Sequence, residues 1–401
     1  MRFTVMTVAA LATAGPACAQ TIALKPLLDT RLRYEHVDQD GLADTADAVT
    51  IRIRAGVAAS RGAVNALVEA QGNFAIASDY YDGLHGTATR PLVGDPQNIA
   101  LYRAQIQYRD KVLTVTAGRQ RIALDDERFV GAAGFRQNGQ TFDAVRVEWT
   151  GVPKVKADVT YAWGVRTIWG IDGNGARPQA ISGDNVFANL SYASPFGTLT
   201  GFAYLVDQDE AAVQGFRLSS QSYGGRFAGS QKISKGAKLG YQLSYAHQRD
   251  WHRNPNRYAA NYYLADVSLD LAAAKLGVGY EVLGADQGTA LTSFQTPAAT
   301  LFKFNGWTDK FLATPPDGLR DLYGSVGYAV KRAGPFTGVA LSVTYHRFES
   351  DRLVRHYGNE VDLLASGKIG RYTLSLRYAD YDADQFATRT RKAWAQVDWV
   401  F

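Results

Sequence analysis

The stretch Leu239-Gly240-Tyr241-Gln242-Leu243-Ser244-Tyr245-Ala246 changes character at every residue. Leu239, Tyr241, Leu243 and Tyr245 make one apolar face, and Gly240, Gln242, Ser244 and Ala246 make the other. A period of two belongs to a β-strand, whose successive side chains point to opposite sides of the pleat. Outward from this stretch the pattern recurs at Val155, Ala157, Val159, Tyr161 and Trp163, set against Lys156, Asp158, Thr160 and Ala162. It returns at Leu276 to Val282, at Val339 to Tyr345, and at Tyr372 to Tyr378. Alternation alone fits a soluble sandwich as well as a barrel.

Connection lengths separate the two. Tight turns fall at Ser60-Arg61-Gly62, Arg109-Asp110-Lys111, Gly151-Val152-Pro153, Ser194 to Gly197, Ser234-Lys235-Gly236, Arg332 to Pro335 and Lys368-Ile369-Gly370. Between them lie polar loops near 39–47, 78–97, 122–140, 166–183, 207–220, 249–257, 286–318, 348–356 and 381–389. Short and long connections taking turns predict an all-β, transmembrane antiparallel up-and-down β-barrel with turns at one membrane face and loops at the other. The segments number eighteen, from 25–38 to 390–401, so both chain ends fall on the turn side. Sixteen is the alternative, because Gly224-Gly225 and Ala272-Ala273-Ala274 blur the pattern between 221 and 271. Tyr34, Tyr108, Trp149, Trp163, Tyr192, Tyr245, Tyr345 and Trp399 fall toward strand ends, where interfacial aromatic girdles belong. The last segment carries Ala393, Ala395, Val397, Trp399 and Phe401 on one face, resembling the aromatic-ended strand by which outer-membrane barrels are recognised for assembly.

Composition excludes several classes. No apolar run reaches the roughly 18 residues of a membrane helix. A net charge of +5 over 401 residues, without a dense Lys/Arg block, gives no support to a nucleic-acid partner. The single cysteine, Cys18, sits in an export signal: Met1-Arg2 is the positive start, Phe3 to Ala14 the apolar run, and Ala17-Cys18-Ala19 the cleavage motif. Gly15-Pro16-Ala17 makes a poor lipoprotein box, so residues 1–19 are expected to leave as a signal peptide and 20–401 to form the barrel. The expected destination is the bacterial outer membrane, with its lipid and the barrel assembly machinery as partners and a monomer as the functional form.

With apolar residues toward lipid, the alternate positions face the lumen. They include Asp29, Arg31, Arg33 and Glu35, then Arg52 and Arg54, then Glu69 and Gln71, then Arg103, then Arg119 and Arg121, then Arg146 and Glu148. A charge on the lipid face near the midplane costs about 2–4 kcal/mol, so these arginines point into the lumen or toward Asp29, Glu35, Glu69 and Glu148. A lumen this wide cannot be filled by wall side chains alone. The first strand is expected to start within about ten residues of Gln20, without a preceding N-terminal plug domain, which favours a pore. Fixed guanidinium charge lowers the barrier for anions and pairs bidentately with carboxylates. The competing reading is that lumen carboxylates neutralise the arginines, which then only stiffen the wall.

Two segments carry a family resemblance. One holds Gly118-Arg119-Gln120, Arg128-Phe129-Val130-Gly131, Arg136-Gln137-Asn138-Gly139 and Thr141-Phe142-Asp143. The other holds Phe294 to Thr300, Lys303-Phe304-Asn305-Gly306-Trp307, Asp309-Lys310-Phe311 and Gly318 to Tyr323. Together they resemble the alginate-export family of outer-membrane β-barrel porins. The resemblance implies an eighteen-stranded monomer whose arginine-rich constriction passes anionic polyuronate. Long outer loops often fold inward, so Arg119, Arg121, Arg128, Arg136, Lys303, Lys310 and Arg320 are expected to help line a constriction. The alternative makes Phe304, Trp307 and Phe311 the packed core of an outer loop that Pro315-Pro316 ends. The chain is short for an alginate exporter, so trimmed loops and broader selectivity are expected.

His36, His85, His247, His252, His346 and His356 are scattered, and no H-E-x-x-H, paired cysteine, P-loop or G-x-S-x-G occurs. No enzymatic activity, cofactor or metal is expected, and Asp38, Asp40, Asp44 and Asp47 read as a solvated acidic loop. The sequence therefore predicts a channel for passive passage of anionic polysaccharide, oligosaccharide or another small anionic solute through an arginine-lined pore. The alternative is a general or nutrient-uptake porin with little selectivity. An enzyme or adhesin on a barrel scaffold, and a soluble secreted β protein, stand behind these.

Overall fold

The computed structural model describes residues 21–400; the signal peptide expected over 1–19 and the terminal Phe401 lie outside the described residues. Eighteen strands follow in chain order: β1 Ala23–Gln39, β2 Ala46–Arg61, β3 Val64–Asp79, β4 Asn98–Arg109, β5 Leu113–Gln120, β6 Thr141–Trp149, β7 Val155–Arg166, β8 Ala180–Ser194 and β9 Gly197–Val206. The second half is β10 Ser220–Ser234, β11 Ala237–Asp250, β12 Ala259–Leu271, β13 Ala274–Leu283, β14 Leu319–Ala333, β15 Phe336–Glu349, β16 His356–Ile369, β17 Tyr372–Ala383 and β18 Thr390–Val400. Each strand pairs antiparallel with its sequence neighbours in one sheet. β1 and β18 pair from Asp29↔Val400 to Gln39↔Thr390 and close the barrel, so no strand edge faces lipid.

The period-two pattern sets the faces. In β11, Leu243 is 56% and Tyr245 46% exposed, whereas Ala246 between the walls is fully buried. The girdle aromatics Tyr34, Tyr108, Trp149, Trp163, Tyr192, Tyr245 and Tyr345 are all exposed on the outer surface. The stretch where the pattern blurred does form three strands, which settles the count at eighteen rather than sixteen. Gly224 is small for a packing reason: a Cβ there would sit 2.5 Å from the ring of Phe202 and 2.3 Å from the Tyr245 carbonyl. The turn between β12 and β13 contains Ala272 at φ +53°, a left-handed position without the usual Gly, Asn or Asp signature.

Much of the lumen is not an empty polar channel. Inward positions Phe142, Ala144, Phe187, Phe202, Tyr204 and Tyr262 are buried and apolar, in place of the polar alternation expected of a water-filled interior. They are covered by two long connections that turn into the barrel, residues 121–140 after β5 and 284–318 after β13. Phe129 from the first and Phe294 from the second pack together at 5.9 Å between ring centroids, and both pack on Tyr262. The two loops also join backbone to backbone, with a parallel bridge at Val130↔Ala298 and the Gly131 amide donating to the Ala298 carbonyl at 2.9 Å.

Candidate functional site

The first inward loop is fastened to the β1–β4 wall. Arg31 donates to the Gly134 and Phe135 carbonyls at 3.1 and 2.9 Å, and Arg33 lies over the Phe135 ring at 4.0 Å. The Gln137 amide donates to Asp95 at 2.7 Å, its side chain to Thr50 at 2.8 Å, and Gln71 donates to Asn138 at 2.9 Å. Gly139 is required here, since a Cβ would meet the Tyr102 hydroxyl at 2.7 Å and the Arg54 guanidinium at 2.9 Å.

The second inward loop is fastened to an acidic wall on β13–β16. Asn305 donates to Glu281 at 2.6 Å and Asp321 at 3.1 Å. Thr308 gives its amide to Glu360 at 2.8 Å and its hydroxyl at 2.5 Å. His346 bridges the same wall, 2.9 Å from Asp321 and 3.7 Å from Asp362. Arg128 crosses from the first loop to Glu281 at 2.7 Å and donates to Asn305 at 2.9 Å. Arg136 reaches Asp309 at 2.7 Å, and Lys392 of β18 reaches the same carboxylate oxygen at 2.7 Å. Burial would raise the Asp309 pKa, but the two cations overcome it and hold the carboxyl below its ordinary range.

The expected site residues fall into two groups. One is neutralised: Arg31 with Asp398, Arg33 with Asp95, Arg52 with Asp29, Arg103 with Glu69, Arg119 with Asp143, Arg128 with Glu281, Arg136 with Asp309, Arg146 with Asp158 and Glu148, and Arg320 with Asp351. The other has no carboxylate partner among the described residues. Arg54 donates to Gln71 at 2.6 Å and stacks on Tyr102 at 3.9 Å. Arg121 is exposed and makes no described hydrogen bond or ion pair. Lys303 donates to the Asp126 carbonyl at 2.7 Å, and Lys310 contacts Gln39 at 3.4 Å. Burial and the nearby Lys392 bring the Lys310 ammonium down to about 8.

Two of the expected site arginines, like Arg166, Arg226 and Arg352 elsewhere, remain short of partners among the described residues. Arg52 keeps Nε and Nη1, and Arg54 keeps Nη2, buried with no hydrogen-bond partner among the described residues. A buried guanidinium N–H without an acceptor is costly, and an anion would satisfy it. Sequence reasoning missed Arg377 as a site residue, although it lies on the polar face of the Tyr372 to Tyr378 alternation. Its guanidinium lies 4.7 Å over Trp307 and 5.1 Å over Phe135, so it touches both inward loops. The acidic wall was missed as well, because Glu281, Asp321, Glu360 and Asp362 are far apart in sequence and only barrel register assembles them. The described residues contain no group of His, Cys, Asp and Glu arranged to hold a metal ion.

A family model described as alginate export matches residues 27–276. Similar solved structures include Acinetobacter baumannii OccAB4, with a TM-score of 0.73 at 11% identity, covering 96% of this chain and 99% of that one. Pseudomonas aeruginosa OpdK, solved with vanillate, gives 0.70 at 13%, covering 94% and 98%; OpdL of the same organism gives 0.67 at 14%, also covering 94% and 98%. At these identities the structures show a shared fold. No curated protein sequence matches the chain.

Proposed function

Because this chain belongs to the alginate-export family and is a bacterial outer-membrane β-barrel channel, we propose that it passes anionic saccharide chains by passive diffusion through an arginine filter. The observation that carries this reading is the set of unsatisfied N–H donors on Arg52 and Arg54, with Arg121 nearby, exposed and without an ion-pair partner among the described residues. Carboxylates on successive sugar rings would meet the exposed Arg121, with the buried, incompletely paired Arg52 and Arg54 adding positive field behind it, and none would be held strongly enough to stop transit. The thirteen cations named above thus divide into nine paired with carboxylates, of which Arg31, Arg33, Arg128 and Arg136 also fasten the inward loops, and four without a carboxylate partner among the described residues, which with the incompletely paired Arg52 act on the solute. Arg377 belongs to the acting set, since its described partners are aromatic faces rather than carboxylates.

Passage needs no nucleotide and no covalent step, and we assign the protein no enzymatic activity. Residues 1–19 are read as the export signal, the last strand as the feature recognised by the assembly machinery, and the monomer as the working unit. Because two loops occupy the lumen, the solute would travel in single file as an extended chain or as a small molecule. OpdK was solved with vanillate, itself a carboxylate, which supports including small aromatic carboxylates among the first test solutes.

A second reading, a general porin with little selectivity, is favoured by the ion pairing of most lumen arginines. Single-channel current in a planar bilayer separates the two. Oligouronate should block the open channel at lower concentration than a neutral oligosaccharide of equal length. Equal block by both would establish the general porin.

A further inference from the structure

Above the inward loops, on the long-connection side, lies a cavity of about 270 Å³. Its floor is the Gln295–Phe302 segment with Ala133 and Phe135. Its walls come from the ends of β7–β9 and from the connections 167–179 and 207–219, with Ile168, Trp169, Ile181, Val213 and Leu218 supplying apolar surface. Ligand pockets commonly run from about 300 Å³ upward, so this cavity suits one ring rather than a chain. Trp169 is held in place by the Arg177 guanidinium, 4.9 Å over its ring.

The polar groups of the wall are mostly occupied. Asn185 donates to the Ala162 and Gly183 carbonyls, Gln140 to the Gly131 and Ala298 carbonyls, and Arg136 is spent on Asp309. Two are not. Asp207 Oδ1 and Gln208 Oε1 are buried with no hydrogen-bond partner among the described residues, although both residues line the cavity. Asp207 is 2% exposed, and its other oxygen lies 3.2 Å from His252 Nδ1. Both orphaned atoms are acceptors. The missing partner must therefore be a donor, which a carboxylate cannot be and a hydroxyl can.

We infer that this outer cavity is a capture subsite for a single hydroxylated ring of the pyranose type. Its apolar face would rest on the Ile168, Trp169 and Val213 side, and adjacent hydroxyls would donate to Asp207 and Gln208. The inference rests on the saccharide reading of the channel and adds a division of labour. The cavity reads the hydroxyl pattern of a ring, whereas the arginines deeper in the lumen read its charge.

The test is a tryptophan-fluorescence titration of the refolded full barrel with a neutral methyl pyranoside. The expected result is a saturable response. Asp207→Asn and Gln208→Ala should each raise the half-saturating concentration about tenfold, in keeping with loss of one hydrogen bond to a buried acceptor. Val213→Trp, which fills the cavity, should abolish saturation while the heat-modifiable gel shift confirms a folded barrel. No saturable response in the wild type, an unchanged midpoint in Val213→Trp, or a response to alkylammonium but not to pyranoside would overturn the inference. Ion selectivity is measured separately, so pyranoside binding without anion preference would sink the arginine filter alone. Anion preference without pyranoside binding would sink this subsite alone.

Discussion

Asp309 shows how a single side chain fixes the interior. It is buried between Arg136 and Lys392, each 2.7 Å away, and its carboxyl pKa is held down against the opposing effect of burial. Asp309→Asn would leave two buried cations unpaired, at a cost of about 3–5 kcal/mol. A lower temperature for loss of the heat-modifiable gel band is the expected outcome. A carboxyl with a lowered pKa contributes stability that is present above its ordinary pKa and disappears as pH falls through the folded value. The wild type should therefore lose this contribution in acid below about pH 4, while Asp309→Asn shows a flatter acid limb. Lys310 works in the opposite range. Burial lowers it to about 8, so its charge is present at neutral pH and lost by about pH 9. Because the folded protein releases this proton before the unfolded chain does, stability rises between the two pKa values. If Lys310 acts on the solute as proposed, anion preference in bilayers should fall across the same interval, and Lys310→Met should remove that step.

At the scale of elements, the inward loop 284–318 is the part that changes the molecule from a wide tube to a narrow one. Replacing residues 288–314 by a short glycine linker should raise single-channel conductance several-fold, because Phe129 and Tyr262 lose the Phe294 ring that covers them. Conductance equal to that of the intact protein would show that this loop does not limit flow. The loop was legible in sequence as the longest connection, and its inward course was expected from general barrel behaviour. Its fastening was not legible. Thr308 meeting Glu360 and Asn305 meeting Glu281 and Asp321 depend on which strands lie across the lumen, and no local pattern encodes that. The strands were far easier to read, since lipid on one side enforces strict alternation. Phe142, Phe187 and Tyr262 broke the polar half of that alternation, and each break marks a place where an inward loop packs. The loop residues divide in the same way. Phe311 packs on Phe348 and Phe386, while Lys303 and Lys310 keep no carboxylate partner among the described residues.

At the scale of the whole barrel, two gradients organise the chain: apolar outside against polar inside, and basic wall against acidic wall. The first predicts that Leu243→Arg, on the lipid face of β11, destabilises by about 2–4 kcal/mol, whereas Gln242→Arg beside it, half-buried on the lumen face and already bonded to Asp126, costs far less. Denaturant unfolding in lipid vesicles reads this difference directly. The second sets the arginines of β1–β6 against Glu281, Asp321, Glu360 and Asp362 on β13–β16, and the inward loops are strung between them. Closure of β1 on β18 makes this arrangement possible, since it brings Arg31 beside Asp398 across the whole length of the chain. What decides the function is whether charge remains for the solute after that pairing. The most direct measurement is the reversal potential across a KCl gradient in a planar bilayer, for the wild type and for a combined Arg52→Gln, Arg54→Gln and Arg121→Gln variant. A wild-type potential on the chloride side that moves toward zero in the variant is the expected result. A wild-type potential near zero, or one that the three substitutions leave unchanged, would contradict the arginine filter.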